Sequence, residues 1–238
     1  MGLFNKRLSP NDFGLLDGAT DNHSHILFGV DDGISTAEES LATLSLLEKA
    51  GLRTLWLTPH TMEDVPNTTE GLKQRFEELK GLYHGSIELH LASEYMMDEL
   101  FEKHLAEDDF LFHGGKCVLV ETSTWSGPYN FWDLLETMMH KGYRPILAHP
   151  ERYVYMGDKD YRRLHDMGVY LQLNYPSALG TYGEPVQKKA FALLEKGWYR
   201  MIGSDCHRFR ALENQLEAKV LKKDMAAALK QIAKDPEE

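Results

Sequence analysis

Short apolar runs alternate along the chain with amphipathic stretches of helical period, and this alternation restricts the possible folds more than any other feature. Seven runs have the length and composition of strands, and they cover residues 20–25, 53–58, 87–93, 116–121, 144–148, 169–174 and 199–204. Helical patterns lie at 36–50, 69–83, 129–141, 159–167, 185–196 and 211–232, with a short extra helix at 97–105. Strands that alternate with helices form parallel βαβ units, so we predict an α/β protein built on a parallel sheet.

A parallel sheet of this kind can close into a barrel or stay open and doubly wound. The length of 238 residues has room for either architecture. The runs at 117–120 and 146–148 are apolar throughout, as in strands that are covered on both faces. The phosphate loops GxGxxG and GxxxxGK(S/T) are absent from the sequence, but many open sheets also lack them, so this absence decides little.

Composition excludes several classes of function. The formal net charge is −11, from 26 lysines and arginines against 37 aspartates and glutamates, which argues against a protein that mainly grips nucleic-acid phosphates. No apolar run approaches the roughly 20 residues of a membrane span. The cysteines, Cys117 and Cys206, cannot form a disulfide framework, so we expect a reducing, cytoplasmic location. Eleven histidines in an acidic chain are more informative, because histidine and carboxylate together bind divalent metals.

Histidines and acids occupy the carboxyl ends of the predicted strands. In a parallel barrel those ends converge on one face, and that face carries the active site. The residues concerned, including one aspartate of the loop after the first strand, are His23, His25, Asp32, His60, Glu94, Glu121, His149, Asp205 and His207. Scattered structural histidines would not be sorted in this way. The positions therefore favour a barrel with one polar mouth.

These nine residues have the spacing and the chemistry of metal ligands. The His-x-His and Asp-x-His pairs place both side chains on the same side of an extended backbone, so each pair can chelate one ion. Nine ligands exceed the three or four that a single catalytic zinc takes, which predicts two or three divalent ions. Imidazole and carboxylate without thiolate suit Mn²⁺, Fe or Zn. Neighbouring ions of this kind generate a hydroxide nucleophile and stabilise an in-line phosphoryl displacement.

Three arginines supply the positive charge that a phosphate group requires. Arg152 follows His149 by three residues, and Arg208 and Arg210 come directly after His207. We therefore expect all three arginines at the rim of the mouth, where a guanidinium can bind two phosphate oxygens at once.

Other candidate groups are expected to be structural. A cysteine-dependent phosphatase needs an arginine six positions after its thiol, and neither cysteine has one; the serine elbow GxSxG is also absent from the sequence. Asp31 and Asp32 could both be turn residues before Gly33, and we favour Asp32 as a ligand; His90 is expected to be structural. The histidines expected to be solvated are His84, His104, His113, His140 and His165.

Several short motifs carry a resemblance to a known family: His23-Ser-His, Asp31-Asp-Gly, Thr58-Pro-His, Ser93-Glu-Tyr, the strand ending in Glu121, Ala148-His-Pro-Glu-Arg-Tyr and Ser204-Asp-Cys-His. Jointly they resemble the polymerase-and-histidinol-phosphatase (PHP) superfamily. Within it, the Asp-Asp-Gly loop and the Ala-His-x-Glu-Arg-Tyr segment are similar to the bacterial manganese-dependent protein-tyrosine phosphatases of capsular and exopolysaccharide operons. The resemblance extends from about residue 20 to residue 230.

The resemblance implies a distorted seven-stranded (β/α)7 TIM-like barrel of the PHP type, with residues 1–19 as an N-terminal extension and 20–238 as a single domain. It also implies a trinuclear centre. The first ion would take His23, His25, Glu94 and Asp205, the second Glu94, Glu121 and His149, and the third Asp32, His60 and His207. Arg152 matches the phosphate-facing arginine of the family.

The implied function is hydrolysis of phosphotyrosine in proteins by a cytoplasmic, manganese-dependent enzyme, whose partner is a tyrosine kinase of polysaccharide export. The predicted catalytic residues are Arg152, Asp205 and His207, and a metal-activated hydroxide is the predicted nucleophile. We expect no nucleic-acid partner and no stable membrane insertion, and the oligomeric state stays open.

Three alternatives remain at this point. The same chemistry on a small phosphate ester, such as histidinol phosphate, would use the same ligands. An amidohydrolase often has a bridging lysine at the end of its fourth strand, where this chain has Glu121. The third alternative is a regulator that binds metal without catalysis, and the intact ligand positions argue against it.

Overall fold

The computed structural model describes residues 7–234 of the chain. Within this range the strands are β1 Thr20–Asp21, β2 Thr54–Leu57, β3 His60–Thr61, β4 Glu88–Leu91, β5 Glu94–Met96, β6 Cys117–Glu121, β7 Arg144–Ala148, β8 Tyr170–Asn174 and β9 Tyr199–Gly203. The helices are α1 Pro10–Phe13, α2 Ala37–Lys49, α3 Thr69–Leu82, α4 Glu99–Glu107, α5 Phe131–His140, α6 Asp158–Met167, α7 Tyr175–Ala178, α8 Glu184–Glu195, α9 Phe209–Glu217 and α10 Lys223–Ala233, and a 3₁₀ turn, Pro150–Arg152, follows β7.

The strands form two sheets, and all of their pairings are parallel. One sheet has the order β1-β2-β4, and the other has the order β3-β5-β6-β7-β8-β9. The predicted parallel α/β class is therefore confirmed. Backbone hydrogen bonds of 3.0 Å from Asn22 to Ile202 and of 2.8 Å from Asp205 to His23 connect the loop after β1 to the region of β9. The two ladders do not join into one closed sheet, so the seven-stranded barrel stays a prediction.

Pro59 divides one continuous stretch of chain into β2 and β3. Proline has no N–H to donate to a ladder, and the chain beyond it pairs with a different neighbour. There β3 aligns His60 with Glu94 of β5, while β5 aligns Met96 with Glu121 of β6. The predicted strands at 53–58 and 87–93 correspond to β2 and β4, whereas β3 and β5 were not predicted. The two unpredicted strands bring three candidate ligands side by side.

The predicted helix at 211–232 is wrong as a single element. The chain forms α9 and α10 instead, with a break between Glu217 and Lys223. In that break the buried Leu221 forms an antiparallel bridge with Leu8, through hydrogen bonds of 2.9 and 3.1 Å between their backbones. A pairing between segments so far apart in sequence leaves no trace in local periodicity, which explains the error.

The described part of the N-terminal segment packs on the rest of the fold. Ser9 caps α1 in a capping box with Asp12, and the side chains of Leu15 and Leu16 are buried in the main hydrophobic core. Residues 1–6 of the predicted extension and 235–238 of the predicted domain lie outside the described residues. Among residues 7–234, the structure forms no helix with the length and hydropathy to cross a bilayer.

The apolar strands are covered on both faces, as their composition predicts. Val118, Leu119 and Val120 of β6 are all fully buried, although their side chains alternate between the two faces of the sheet. Leu119 packs with Ile146 and Ala148 in a small cluster that is separate from the main core. Rigid, buried strands of this kind present the residues at their carboxyl ends with little freedom to move.

Candidate metal centre

Glu94 lies at the centre of a group of four histidines. Its Oε2 is 3.1 Å from His23 Nε2, 3.3 Å from His25 Nε2 and 3.1 Å from His60 Nδ1. Its Oε1 is 3.0 Å from His149 Nε2. The side chains of Glu94, His23 and His25 are fully buried, so these interactions lie in a region of low dielectric constant.

Two further carboxylates, Glu121 and Asp205, approach different pairs of these histidines. Glu121 Oε1 is 3.1 Å from His60 Nδ1, and its Oε2 is 3.6 Å from His149 Nε2. Asp205 Oδ1 is 3.6 Å from His23 Nε2 and 3.4 Å from His25 Nε2. Both carboxylates therefore face the same histidines as Glu94.

Asp32 and His207 complete the arrangement on its open side. Asp32 Oδ1 is 3.3 Å from His207 Nε2 and 3.6 Å from His60 Nε2. The Asp32 side chain is 69% exposed and that of His207 is 27% exposed, so solvent reaches the cluster here. The structure thus brings all nine predicted ligands into one cluster.

Three subsets of the cluster have the spacing to hold a metal ion: His25 with Asp32, His60 and His207; His23 with His25 and Glu94; and His60 with Glu94 and Glu121. They overlap with the three sets that the resemblance implies, but three memberships differ, the first being that Asp205 is not part of the subset with His23, His25 and Glu94. His25 joins the third set, and His60 stands where His149 was expected in the second. His60 lies between the two sites, because its Nδ1 faces Glu94 and Glu121 while its Nε2 faces Asp32.

Two of the candidate ligands have a backbone conformation that is unusual for residues other than glycine. His149 has φ +34° and Asp205 has φ +51°. Such conformations are rare for residues with a Cβ, and they persist only where surrounding contacts impose them. The N–H of His149 donates to Gln172, and the N–H of Asp205 donates to the carbonyl of His23. The left-handed turns direct both side chains into the cluster at the ends of their strands.

The polar atoms at the centre are not satisfied by the protein alone. Glu94 Oε2, Glu121 Oε1 and His60 Nδ1 are buried and form no well-angled hydrogen bond within residues 7–234. Buried polar atoms without partners are costly, and native structures contain few of them. A divalent cation would satisfy all three atoms, and the mixed nitrogen and oxygen donors suit Mn²⁺, Fe or Zn. The residues therefore fit a metal centre.

The charges of the cluster depend on one another. Burial acts to raise the pKa of Glu94, but His23 and His60 hold it well below its usual range. Burial also acts to raise the pKa of Asp205, but His23 and His25 hold the pKa of this carboxyl well below its usual range. Burial and His25 oppose protonation of His60, yet the facing carboxylates, Glu94 first, raise its pKa to about 10. Because metal ligands must be deprotonated, ions entering the cluster would displace protons from its histidines.

Asp31 has a larger role than the predicted turn residue. Its Oδ1 accepts the N–H of Gly33 at 2.9 Å, as a turn residue would. Its Oδ2 lies 2.8 Å from His25 Nδ1 and accepts the N–H of His60 at 3.0 Å. Carboxylates that bind the second nitrogen of a ligating histidine fix its ring orientation. The Asp-Asp-Gly motif indicates a turn, and it does not show that Asp31 would also contact His25 and His60.

The three predicted phosphate-binding arginines have different surroundings. Arg152 Nη1 donates to Asp205 Oδ2 at 2.9 Å, and its guanidinium carbon lies 4.6 Å from the centre of the Tyr182 ring. Arg208 Nη1 donates to the carbonyl of Gly33 at 2.7 Å and also contacts the carbonyl of Asp32. The side chain of Arg210 is 82% exposed and pairs with Glu213 on α9 at 2.7 Å. The structure brings Arg152 and Arg208 to the cluster and engages Arg210 on a helix surface.

Two of the histidines expected to be solvated are buried, which corrects that prediction. His104 Nδ1 lies 2.8 Å from the carbonyl of Asp109, and His113 Nε2 lies 3.0 Å from the carbonyl of Asn22. His113 also stacks on Trp56, with 4.1 Å between the ring centres. The remaining three, His84, His140 and His165, are exposed as predicted. His90 also stacks on Trp56, at 4.7 Å, which supports its structural interpretation.

The sequence is similar to those of known bacterial tyrosine-protein phosphatases. The chain is 28% identical over 206 residues to tyrosine-protein phosphatase CpsB of Streptococcus agalactiae, covering 79% of this chain and 82% of the relative. It is 27% identical over 218 residues to tyrosine-protein phosphatase YwqE of Bacillus subtilis, covering 88% of this chain and 86% of the relative.

Solved structures show the same fold. One match is described as YwqE from Bacillus subtilis and CpsB from Streptococcus pneumoniae, which are called metal-dependent tyrosine phosphatases. Its TM-score is 0.74 at 22% identity, and the alignment covers 92% of this chain and 97% of that chain. A phosphotriesterase homology protein from Escherichia coli has a TM-score of 0.54 at 13% identity, over 91% of this chain and 92% of that chain. The family described as capsular polysaccharide synthesis, CpsB/CapC, matches residues 19–233, and the chain belongs to this family.

Proposed function

We propose that this protein is a metal-dependent protein-tyrosine phosphatase. The observation that carries the proposal is the cluster around Glu94, in which buried oxygen and nitrogen atoms form no well-angled hydrogen bond within residues 7–234 and could bind divalent ions instead. The names of the relatives point to the same reaction, since CpsB and YwqE are called tyrosine-protein phosphatases. The same fold on its own would not select this activity, because related folds support many reactions.

The proposed cofactor is a set of two or three divalent ions, with Mn²⁺ preferred and Fe or Zn as alternatives. The ligands would be the nine clustered residues, and we retain the trinuclear arrangement with His60 shared between the second and third sites. When bound, such ions supply Lewis acidity and lower the pKa of water at the site. The low pKa values of Glu94 and Asp205 keep both carboxylates ionised at neutral pH, as cation binding requires.

The phosphate group would be held by Arg152 at the edge of the cluster. Arg152 is 27% exposed, and its pairing with Asp205 and stacking on Tyr182 hold the guanidinium in place. A planar guanidinium in such a position can stabilise the negative charge that develops on the phosphoryl oxygens. Arg208 would act mainly by holding the backbone around Asp32, whose carbonyl it contacts.

Surface features near the cluster support a protein substrate over a small one. The cluster opens to solvent at Asp32 and His207. The loops that follow β6 and β7 expose Trp125, Tyr129 and Val154, with exposed fractions of 77%, 99% and 59%. Exposed apolar side chains next to a catalytic cleft are typical of a surface that binds a polypeptide. Histidinol phosphate, the alternative substrate, has no extended chain to use such a surface.

The partner that we propose is a bacterial tyrosine kinase of polysaccharide export, with phosphotyrosine as the reacting group. This part of the proposal rests on the family, which is described by capsular polysaccharide synthesis. We place the reaction in the cytoplasm, because both cysteines, Cys117 and Cys206, are free thiols of a kind found in reducing compartments.

The experiment is a comparison of phosphate release from three esters: p-nitrophenyl phosphate, a phosphotyrosine peptide and histidinol phosphate. We expect turnover of the first two by protein loaded with Mn²⁺, loss of turnover after chelation, and recovery when Mn²⁺ is added back. The matched variant is His149→Ala, which removes one candidate ligand. Turnover of histidinol phosphate alone would favour the small-molecule alternative, and full activity of His149→Ala would favour a regulator without catalysis at this cluster.

A further inference from the structure

Two buried amides on β8, Gln172 and Asn174, connect candidate ligands that lie on three other segments. Both side chains are fully buried. Gln172 Oε1 lies 2.9 Å from His23 Nδ1 and 3.2 Å from the backbone nitrogen of His149. Gln172 Nε2 lies 3.0 Å from Asn174 Oδ1, and Asn174 Nδ2 lies 2.7 Å from Asp205 Oδ2. One hydrogen-bonded chain therefore runs from His23 to Asp205.

The backbone N–H of His149 determines the direction of every bond in this chain. An N–H can only donate, so the atom of Gln172 that faces it must be the amide oxygen. The Gln172 nitrogen then donates to Asn174 Oδ1, and the Asn174 nitrogen donates to the carboxylate of Asp205. The orientation of both amides follows from hydrogen-bond chemistry and not from an arbitrary choice between oxygen and nitrogen.

The same reasoning determines the tautomer of His23. Because Gln172 Oε1 is an acceptor, His23 Nδ1 must carry a proton and donate it. The lone pair of neutral His23 is then on Nε2, the atom that faces Glu94 and Asp205. A ligating imidazole whose second nitrogen donates to a fixed acceptor is held in one tautomer and one orientation.

The chain also assigns separate partners to the two oxygens of Asp205. Its Oδ2 accepts from Asn174 Nδ2 at 2.7 Å and from Arg152 Nη1 at 2.9 Å. Its Oδ1 faces the histidines, at 3.6 Å from His23 and 3.4 Å from His25. With Oδ2 held by two donors, only Oδ1 is directed toward the centre of the cluster.

Gly203 on β9 provides the space that this network needs. It stands opposite Asn174 in the pairing of β8 with β9. A Cβ at this position would lie 2.7 Å from Gln172 Nε2 and 2.4 Å from His23 Cβ, closer than such atoms can approach. The glycine therefore allows Gln172 and His23 to pack against the backbone of the neighbouring strand.

We propose that Gln172 and Asn174 are positioning residues of the metal centre, which hold His23 with its Nδ1 protonated and direct Oδ1 of Asp205 toward the histidines. This inference rests on the metal-dependent function proposed above. It assigns roles to two uncharged residues that do not touch the reacting atoms.

The test measures metal binding directly, by competition with a chromophoric chelator in the full-length protein and without any substrate. Gln172→Leu removes the acceptor, and we expect an affinity for Zn²⁺ or Mn²⁺ about 10–100-fold lower. Gln172→Glu keeps an acceptor for His23 and should retain more of the affinity than Gln172→Leu. The matched control is Gln187→Leu, since Gln187 is a partly buried glutamine whose amide binds the carbonyl of Ala178 on α7, away from the cluster.

A second readout separates the two amides. In protein loaded with diamagnetic Zn²⁺, the histidine Nδ1–H protons that are held in hydrogen bonds are visible by NMR. We expect Gln172→Leu to lose one such signal, whereas Asn174→Leu keeps that signal and lowers metal affinity by releasing Asp205. Comparison of melting temperatures in the presence of chelator shows whether either variant is misfolded.

Wild-type metal affinity in Gln172→Leu, or an unchanged set of Nδ1–H signals in that variant, would overturn the inference. If Gln172→Leu does not fold, Gln172→Glu and Asn174→Leu are compared instead. Both should keep the His23 Nδ1–H signal, and equal loss of that signal in the two variants would contradict the separate roles of the two amides. Phosphate release is not part of these measurements, so a failure of the proposed phosphatase activity is distinguishable from a failure of this inference.

Discussion

Arg152 Nη1 lies 2.9 Å from Asp205 Oδ2, so the guanidinium proposed to bind phosphate is paired with a proposed metal ligand. The arginine is 27% exposed, while the aspartate is almost completely buried. Charge-assisted hydrogen bonds of this kind are strong and directional. The pairing holds the arginine at the edge of the cluster before substrate arrives, and it connects phosphate binding to metal binding through a single carboxylate.

Replacing Arg152 should impair turnover without removing the metal. We expect Arg152→Ala to lower kcat/KM for a phosphotyrosine peptide by about 10²–10³-fold, the usual effect of losing one group that stabilises the transition state. Metal content should stay close to that of the wild type, because Asn174 still donates to Asp205. Elemental analysis and steady-state kinetics measure the two quantities.

The conservative variant Arg152→Lys serves as the control. A lysine keeps the charge but lacks the planar fork and the stacking on Tyr182, so it should recover only part of the activity. Full activity in Arg152→Ala would mean that this residue does not contact the phosphate.

Arg208 and Arg210 should differ sharply, although they are two positions apart. Arg208 donates to the carbonyls of Gly33 and His207, each at 2.7 Å; Gly33 adjoins the candidate ligand Asp32, and His207 is itself a candidate ligand. We expect Arg208→Ala to lower kcat/KM on the order of 10-fold, the cost of losing a charged donor to the backbone. Arg210→Ala breaks an exposed pair with Glu213, so its kcat/KM should stay within about twofold of the wild type. Equal losses in the two variants would contradict this assignment.

The positions of the ligands were predictable from the sequence because of a simple geometric rule. Polar residues such as Glu121 and His149 directly follow or end buried apolar runs, and parallel strands bring their carboxyl ends together. The pattern therefore predicted which residues meet, without any knowledge of distances. The sequence does not determine which ligands would share one ion. His60, for example, contacts both Asp32 and Glu94 through opposite nitrogens of its ring. Ring orientation depends on tertiary contacts that spacing does not encode.

Gln172 was missed although a signal was present. It lies two residues before Asn174 on β8, so its side chain points to the same face as the strand-end residue. A glutamine inside an otherwise apolar strand is unusual, and burial without a partner would be costly. The ligand pattern consists of histidines and carboxylates, and it assigns no role to an uncharged amide. The burial of His113 was missed for another reason, since it lies between elements and its partner Trp56 is far away in sequence.

Gly33 should tolerate no side chain, because of a close approach to His25. A Cβ at Gly33 would lie 2.3 Å from the His25 carbonyl oxygen and 2.6 Å from the His25 Cβ. We expect Gly33→Ala to lower the free energy of unfolding by about 1–3 kcal/mol, as other overpacked variants do, and to weaken metal binding as well. Chemical denaturation of metal-free protein and a metal titration measure the two effects.

Gly81→Ala is the matched control for Gly33→Ala. Gly81 lies inside α3, and a Cβ there would meet no atom within 4 Å. Since glycine is unfavourable in a helix, this substitution should raise the free energy of unfolding by about 0.5–1 kcal/mol. If both substitutions were neutral, the close approach at Gly33 would have no energetic weight.

His113 should make the free energy of unfolding depend on pH in mildly acidic solution. Burial lowers its pKa from the ordinary value of 6.5 to about 4. The unfolded chain therefore binds a proton more readily than the folded chain, so the contribution is fully present above pH 6.5 and is lost as the pH falls toward 4. At about 1.4 kcal/mol for each pKa unit, the loss is about 3 kcal/mol.

The variant His113→Phe tests this prediction, because phenylalanine can keep the stacking on Trp56 but cannot titrate. Urea unfolding of metal-free wild type and variant between pH 4 and 7 should show the smaller decrease for His113→Phe, whereas His84→Gln, at an exposed position, should follow the wild type. Parallel curves for wild type and His113→Phe would refute the assignment.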